Sequence, residues 1–193
     1  LSLSIARKPS KPLICDTRLA ENGFEIKLIK KIEMLIKTKR FSDHAMNIVS
    51  EAFATCEGSL SVLNRAIIKK IAGVVGIDTA TYLESELPVI AAEKSMQVLK
   101  LTEYFDAGFY ISPIGSMDYL SGSNHYENSN IELRFFNYEH PSYPQGNNEF
   151  LSHMSALEAF ATVGPDSFLS LIRKGVNAPL TMQEVLESAH EKL

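Results

Sequence analysis

The sequence predicts an α/β fold, with a parallel-sheet Rossmann-like core preceded by an N-terminal hairpin and a three-helix segment. Two observations support this prediction. Three successive segments between residues 25 and 76 repeat apolar residues at helical spacing. After residue 78, strand-like and helix-like patterns alternate, which favours a parallel sheet because parallel strands need a crossover that is usually a helix.

Two short extended segments open the chain and are predicted to pair as a hairpin. Residues 1–7 and 13–19 are strand-like, and the prolines and charges of residues 8–12 suit a turn or an exposed loop. Leu1 is not a methionine, and the opening residues alternate like a strand inside a sheet. We therefore expect that the native start lies before this residue.

Three helices are predicted next. The first begins near Glu25, and Ser42 is placed to cap a second that continues to about Thr55. Ser59 or Ser61 is placed to cap a third, which Gly76 ends. The basic residues between positions 27 and 40 accompany an orderly apolar stripe, so we interpret them as a solvated helix face rather than a polyanion-binding surface.

The second half of the chain alternates strands and helices. Residues 79–83, 109–112 and 131–138 are strand-like, and residues 91–105 have a helical pattern. Two helices begin with capping boxes, Ser155 to Glu158 and Thr181 to Glu184, in which each residue of the pair bonds an N–H group at the helix start. Pro165 opens another helix that Gly175 closes. We expect one α/β domain over residues 1–175 and a helical extension over residues 176–193.

Composition argues against several classes of function. A formal net charge of -4 gives no general positive field for DNA or an anionic membrane. The two cysteines, Cys15 and Cys56, match no zinc spacing and are too few for a disulfide framework, which fits a reducing compartment. No apolar run approaches the roughly 20 residues that span a bilayer. The prediction is a cytoplasmic protein without membrane insertion.

Residues 138–145, with the sequence Tyr-Glu-His-Pro-Ser-Tyr-Pro-Gln, are the strongest candidate for chemistry. The two prolines restrict the backbone around His140, whose imidazole can exchange a proton near neutral pH. Glu139, Tyr143 and Gln145 could orient the ring or a substrate. The alternative is a structural loop in which His140 donates to a backbone carbonyl. The residues by themselves favour that alternative, because loop histidines are more often structural than catalytic.

A second candidate is the turn after the strand-like residues 109–112. Gly115 and the hydroxyl groups of Ser112 and Ser116 could bring N–H groups close to a phosphate or carboxylate. The turn lacks both the dinucleotide-binding and the P-loop glycine patterns, so an ordinary strand-to-helix turn is the favoured reading of the residues alone. Its position strengthens the candidate, because ligands of open α/β sheets bind beyond the carboxyl ends of the strands, where the His140 loop is also expected.

No metal site is predicted, because His125 and His153 lack the helical spacing of a zinc motif. Glu158 is interpreted as a capping residue rather than a ligand. Residues 121–124 lack the elbow sequence of a serine hydrolase, and neither cysteine has a histidine nearby in the sequence. Acid–base and binding groups are thus present without a clear nucleophile, and no motif identifies a cofactor.

Several blocks of the sequence have a distinctive order and spacing: Tyr110 to Ser112, Gly115, Asp118 to Leu120, Phe135 to Gln145, Phe150 to Ser152, Ser155 to Leu157 and Val163 to Pro165. In this order and spacing they resemble the WbqC-like proteins of bacteria. Weaker agreement extends the match over about residues 1–175. The family's opening block, with His-Gln-Pro, would precede residue 1. This chain also has Pro113 where members often have a glycine, which removes one N–H donor from the turn.

The resemblance implies a cytoplasmic transferase of O-antigen or other surface-polysaccharide biosynthesis, because members tend to be encoded among such genes. A glycyl or other small acyl group would pass to an activated sugar or glycan precursor, with an aminoacyl-tRNA only as a group donor. His140 would be the general base, helped by Glu139 and Tyr143. Substrate contacts would come from Gln145, Ser112, Gly115, Ser116 and Tyr119. The alternative is an accessory protein that binds a nucleotide or sugar without turnover.

Overall fold

The computed structural model describes residues 2–6, 12–90, 93–146 and 149–190. Within these ranges the chain contains eight α-helices and one parallel pair of strands. It divides into two compact units. Unit 1 comprises Leu1–Ala80 and His140–Lys174, and unit 2 comprises Thr81–Glu139 and Gly175–Leu193.

The helices have between 4 and 15 residues, and each strand has 4 residues. In chain order, the helices are α1 (Phe24–Ile36), α2 (Ser42–Thr55), α3 (Leu60–Val74), α4 (Lys94–Tyr104), α5 (Met117–Leu120), α6 (Ala156–Val163), α7 (Pro165–Lys174) and α8 (Met182–His190). The strands are β1 (Phe109–Ser112) and β2 (Glu132–Phe135). No helix in the described ranges is both long enough and apolar enough to cross a membrane.

Unit 1 is a helical unit in which α2 packs against α1, α3 and α6. Small side chains allow the close approach of α2 and α6, since Ala45 and Ala161 are fully buried. The rings of Phe160 and Phe168 meet edge to face, with centroids 5.5 Å apart, and join α6 to α7 in the same core. Gly164 ends α6 with a φ of +81°, a conformation that favours glycine.

Unit 2 is built on the parallel pair, in which Phe109 lies opposite Glu132 and Ser112 lies opposite Phe135. The side chain of Phe135 is completely buried among residues that include Leu99 and Leu120. The chain just before α8 bonds to β2 as well, because Phe135 N donates to the carbonyl of Leu180 (2.7 Å) and Leu180 N donates to the carbonyl of Phe135 (2.9 Å). This pairing brings α8 against β2.

The predicted helices are largely confirmed. Ser42 is the first residue of α2 but does not cap it, because Phe41 is at the N-cap position and no side chain among the described residues caps this helix. The hydroxyl of Ser59 accepts from the N–H of Val62 at the start of α3, as predicted. The capping box of α8 is present, because Thr181 N donates to Glu184 Oε2 (2.7 Å) and Glu184 N donates to Thr181 Oγ1 (3.2 Å). These starts depend on residues within one turn of each other, which is why the sequence predicted them.

The predicted hairpin is observed in part. Ile5 forms an antiparallel bridge with Leu19, and Ala6 N donates to Arg18 O (2.9 Å). Within the second predicted strand, however, Ile14–Asp16 form a turn of 3-10 helix. Residues 1 and 7–11 of this prediction lie outside the described ranges.

The strand prediction for residues 79–83 is wrong, because this segment is irregular and most of it is exposed. A strand needs a partner for its backbone groups, and none of the described residues pairs with it in a sheet. The predicted strand over residues 131–138 is confirmed only for Glu132–Phe135. The described ranges thus contain helices and one parallel pair of strands, which agrees with an α/β fold. One pair of strands does not confirm a Rossmann-like core.

The division into a domain over residues 1–175 and an extension stays a prediction; in the structure the chain passes from unit 1 to unit 2 between Lys174 and Gly175. Residues 81–139 nevertheless share unit 2 with the C-terminal segment, so the two units are not consecutive pieces of sequence. A separate helical extension over residues 176–193 stays a prediction.

Candidate functional site

The candidate segment 138–145 begins in unit 2 and continues in unit 1. In unit 2, Tyr138 forms an antiparallel bridge with Val176, and Glu139 N donates to the carbonyl of Gly175 (2.9 Å). Burial raises the pKa of Tyr138. The side chain of Glu139 is exposed, so this residue is held through its backbone while its carboxylate faces solvent.

His140 lies at the start of the unit 1 part of the loop and is exposed. Its imidazole lies against that of His153, with ring centroids 4.0 Å apart and planes inclined by 44°. His153 has a φ of +60°, and its Nδ1 lies 2.9 Å from the hydroxyl oxygen of Ser152. The structure thus brings together two histidines that the sequence analysis considered separately.

Tyr143 is held by a cluster of polar side chains that sequence reasoning did not find. Its hydroxyl donates to Glu158 Oε2 at 2.5 Å, and the ammonium group of Lys39 lies 2.8 Å from Glu158 Oε1. Thr162 Oγ1 lies 3.1 Å from the same Oε1. Lys39 also donates to the backbone carbonyl of Gln145 (2.7 Å). One cation therefore joins the loop to α6.

The charges of this cluster are set by burial and by its hydrogen bonds. Burial by itself would raise the pKa of Glu158, but the bonds from Lys39 and Tyr143 outweigh it and hold that pKa below its usual range. Burial, together with the bond to Glu158, raises the pKa of Tyr143 to about 12. At neutral pH the carboxylate is therefore charged and the phenol is a neutral donor, so Tyr143 is suited to positioning the loop.

Two interpretations from the sequence are corrected here. Ser155 Oγ accepts from the N–H of Leu157 (3.3 Å), whereas the Glu158 carboxylate bonds to Lys39, Tyr143 and Thr162 rather than completing a capping box. Lys39, with 17% of its side chain exposed, is also no part of a solvated face. A half-buried ammonium group attracts a carboxylate more strongly than a neutral N–H does, which explains both differences.

Gln145 closes the far end of the loop. Its Nε2 donates to the carbonyl of Leu151, and its Oε1 accepts from the N–H of the same residue, both at 2.8 Å. The Tyr143 ring packs edge to face against Phe150, with centroids 5.6 Å apart. Since both amide atoms of Gln145 bond to the backbone, this residue shapes the loop, and its substrate contact stays a prediction.

The second candidate turn lies in unit 2, after β1. Ser112 and Ser116 are buried, and their hydroxyl oxygens lie 2.5 Å apart. Ser116 also lies 2.6 Å from the Pro113 carbonyl, to which it donates. Gly115 is exposed, and the half-buried ring of Tyr119 lies 5.7 Å from Lys94 Nζ. Since Ser116 donates to the Pro113 carbonyl, it accepts from Ser112, so both hydroxyl groups bond to groups of the protein. Anion or substrate binding by this turn stays a prediction.

Two cavities of about 340 Å³ each lie among the described residues. The one in unit 1 has mostly apolar walls from α1, α2 and α3. The one in unit 2 is lined by Glu103, Asp106, Ala107, Gly108, Asn130 and Ile131. Neither is lined by a residue of the predicted site. In the same described ranges, no group of three or more His, Cys, Asp or Glu residues is arranged to hold a metal ion.

The arrangement of the His140 loop can be set beside known proteins. A family model described as the WbqC-like protein family matches residues 1–169. This range includes the His140 loop, the Lys39–Glu158–Tyr143 cluster and the turn after β1. No curated protein and no solved structure matches the chain.

Proposed function

This chain belongs to the WbqC-like protein family, and on that premise we propose that it transfers a glycyl or another small acyl group to an activated sugar or glycan precursor. The product would serve bacterial surface-polysaccharide biosynthesis, such as that of O-antigen, in the cytoplasm. The observation that supports this proposal is the exposed imidazole of His140, on a loop that Tyr143 and Lys39 attach to α6. An acid–base group on an anchored loop is what an acyl transfer requires.

In this reaction His140 is the general base. Its imidazole accepts the proton of the attacking hydroxyl or amine while that oxygen or nitrogen bonds to the acyl carbon. The bond between the acyl carbon and the donor's leaving group then breaks, and the proton passes to the leaving group. Glu139, whose carboxylate is exposed, would orient the acceptor. Tyr143 acts through Glu158 as a positioning residue.

The test is an incubation of the purified protein with pairs of nucleotide sugars and acyl donors, including acyl-coenzyme A and glycyl-tRNA. Mass spectrometry then identifies sugars that have gained an acyl group. The substitution His140→Gln preserves a polar side chain of similar size but removes the base, so we expect turnover to fall by about 10²–10⁴-fold. Binding of the sugar, followed by thermal shift, should remain.

The matched control is His125→Gln, because His125 bonds to Glu93 (3.0 Å) in unit 2 and has no part in the loop. This variant should turn over substrate like the wild type. Equal turnover by His140→Gln and wild type would remove His140 from the mechanism. Binding of a nucleotide sugar without product from any donor would instead establish the accessory, non-catalytic function.

A further inference from the structure

The imidazoles of His140 and His153 lie against each other, and the proposed acyl transfer assigns a role only to His140. Both residues are exposed, so an ion in solvent can reach them. Their ring centroids are 4.0 Å apart. Two nitrogen ligands of one zinc ion, each with a bond of about 2.1 Å, lie no more than about 4 Å apart. The 4.0 Å separation joins ring centroids rather than nitrogens, so binding of one ion by both residues requires side-chain rotation that turns one nitrogen of each ring toward it.

The hydrogen bond of His153 selects the nitrogen that is able to bind a metal. Nδ1 lies 2.9 Å from Ser152 Oγ. When Nδ1 donates its proton to that oxygen, Nε2 carries the ring's lone pair. Metal-binding histidines in proteins usually donate their second ring N–H to an oxygen in this way, which holds the ring and its tautomer. Ser152 is thus placed as a supporting residue for a metal ligand.

The loop that contains His140 is held by contacts that do not depend on a metal. Pro141 restricts the backbone directly after it. Further along, Tyr143 bonds to Glu158 and Gln145 bonds twice to Leu151. These contacts hold the backbone on either side of residues 146–150 in unit 1 without a metal, which lowers the entropic cost of chelation.

We propose that His140 and His153 together bind one divalent transition-metal ion, for which zinc is the appropriate probe. Imidazole nitrogens suit zinc, nickel and copper rather than magnesium or calcium. No third His, Cys, Asp or Glu completes the site among the described residues. Water therefore fills the remaining positions, and affinity is lower than at closed sites with four protein ligands.

This metal site is separate from the proposed transfer reaction, but both involve the imidazole of His140. A metal ion on His140 occupies the lone pair with which this ring would accept a proton. Zinc should therefore inhibit the transferase. The metal site itself is tested by direct binding, so its failure and the failure of the proposed function are distinguishable.

The experiment is isothermal titration of the full chain with zinc chloride, with the imidazole resonances followed by NMR. We expect one ion per chain and shifted signals from both His140 and His153. His140→Gln and His153→Gln should each lower the affinity by about 10-fold or more, at least the usual effect of losing a supporting residue. Ser152→Ala should lower it less than either.

His44→Gln and His125→Gln serve as matched controls, since one histidine is on α2 and the other bonds to Glu93. Both controls should bind zinc with wild-type affinity. Circular dichroism establishes that all variants are folded. The proposal is overturned if wild-type protein binds no zinc, or if His140→Gln and His153→Gln bind it as tightly as the wild type. Loss of affinity in His125→Gln alone would place the ion elsewhere and likewise reject the site.

Discussion

At the scale of single residues, the Glu158 carboxylate holds the loop that begins at His140. It accepts from Tyr143 and pairs with Lys39, and Lys39 bonds in turn to the backbone of Gln145. Only 12% of the Glu158 side chain and 17% of the Lys39 side chain are exposed. Removing one partner of a pair buried to this extent lowers the free energy of unfolding more than at the surface, because the remaining charge cannot be fully hydrated.

The substitution Glu158→Gln should therefore destabilise the protein by about 1–3 kcal/mol, the range for hydrogen bonds that involve a charged group. The measurement is the free energy of unfolding from urea titration at neutral pH. The matched control is Glu51→Gln, whose partner is Lys70 at 2.5 Å and whose side chain is 63% exposed. The control should lose less than about 1 kcal/mol, as exposed ion pairs do.

The pH dependence of stability in the wild type and in Glu158→Gln provides a second test of this ion pair. Because the folded pKa of Glu158 lies below its unfolded value, its stabilising effect is fully present above the unfolded pKa of about 4.3. It is lost as the pH falls through the lower folded pKa. The stability difference between wild type and Glu158→Gln should therefore shrink on acidification below that range. A difference that stays constant down to pH values near 2 would contradict the assigned ion pair.

The sequence identified the candidate loop at this scale, but not its partners. Two prolines around a histidine and two tyrosines were visible as local features of residues 138–145. The partners Lys39, Glu158 and His153 lie in other segments, and nothing local marks them. Glu158 even matched a capping box, so a valid local pattern concealed its bonds to Lys39 and Tyr143.

At the scale of elements, Gly175 packs against the segment that follows β2 in unit 2. Its carbonyl accepts from Glu139 N (2.9 Å). A Cβ added to this glycine would overlap the Glu139 carbonyl oxygen and lie 2.6 Å from Cε2 of Tyr138. A backbone atom cannot move aside as the end of a flexible side chain can, so this contact between segments requires glycine.

We expect Gly175→Ala to destabilise the protein by about 1–3 kcal/mol, as other overpacking substitutions do. The measurement is the midpoint of thermal unfolding together with urea titration. Gly122→Ala is the matched control, because a Cβ at Gly122 would meet no atom within 4 Å, and it should change stability by less than about 0.5 kcal/mol. Equal stability of the two variants would show that the backbone at Gly175 relaxes freely.

Elements whose signals are local were predicted well, and those that need a distant partner were not. The starts of α2, α3 and α8 lie at or beside Ser42, Ser59 and Thr181, as expected. Residues 79–83 have strand-forming residues but no strand partner among the described residues. β-propensity reflects how well a side chain packs on the surface of a sheet. It therefore does not produce a strand at residues 79–83, which do not pair with a sheet in the described ranges.

At the scale of the whole molecule, each unit has its own buried core. Phe160 is completely buried in the core of unit 1, and Phe135 is completely buried in the core of unit 2. Truncating either to alanine should cost about 3–5 kcal/mol, from lost apolar burial and from the cavity left behind. Amide hydrogen exchange should increase most in the unit that contains the substitution.

The control for this prediction is Phe136→Ala, directly beside Phe135 in the sequence. Phe136 is 44% exposed and its ring stacks on that of Tyr138, with centroids 5.7 Å apart. Its loss should cost less than about 1.5 kcal/mol, the upper range for an aromatic pair. If exchange in unit 1 rises as much for Phe135→Ala as for Phe160→Ala, the division into two cores is wrong.

The sequence by itself determined the longer helices, the caps of α3 and α8, the β1 strand and the loop at residues 138–145, because these depend on side chains within a turn or two of each other. Only the tertiary structure decided which side chains meet: His140 with His153, and Tyr143 with Glu158 and Lys39. It also decided that residues 79–83 join no sheet in the described ranges. Such contacts depend on packing and charge between segments that are distant in the sequence, so a local sequence pattern does not predict them.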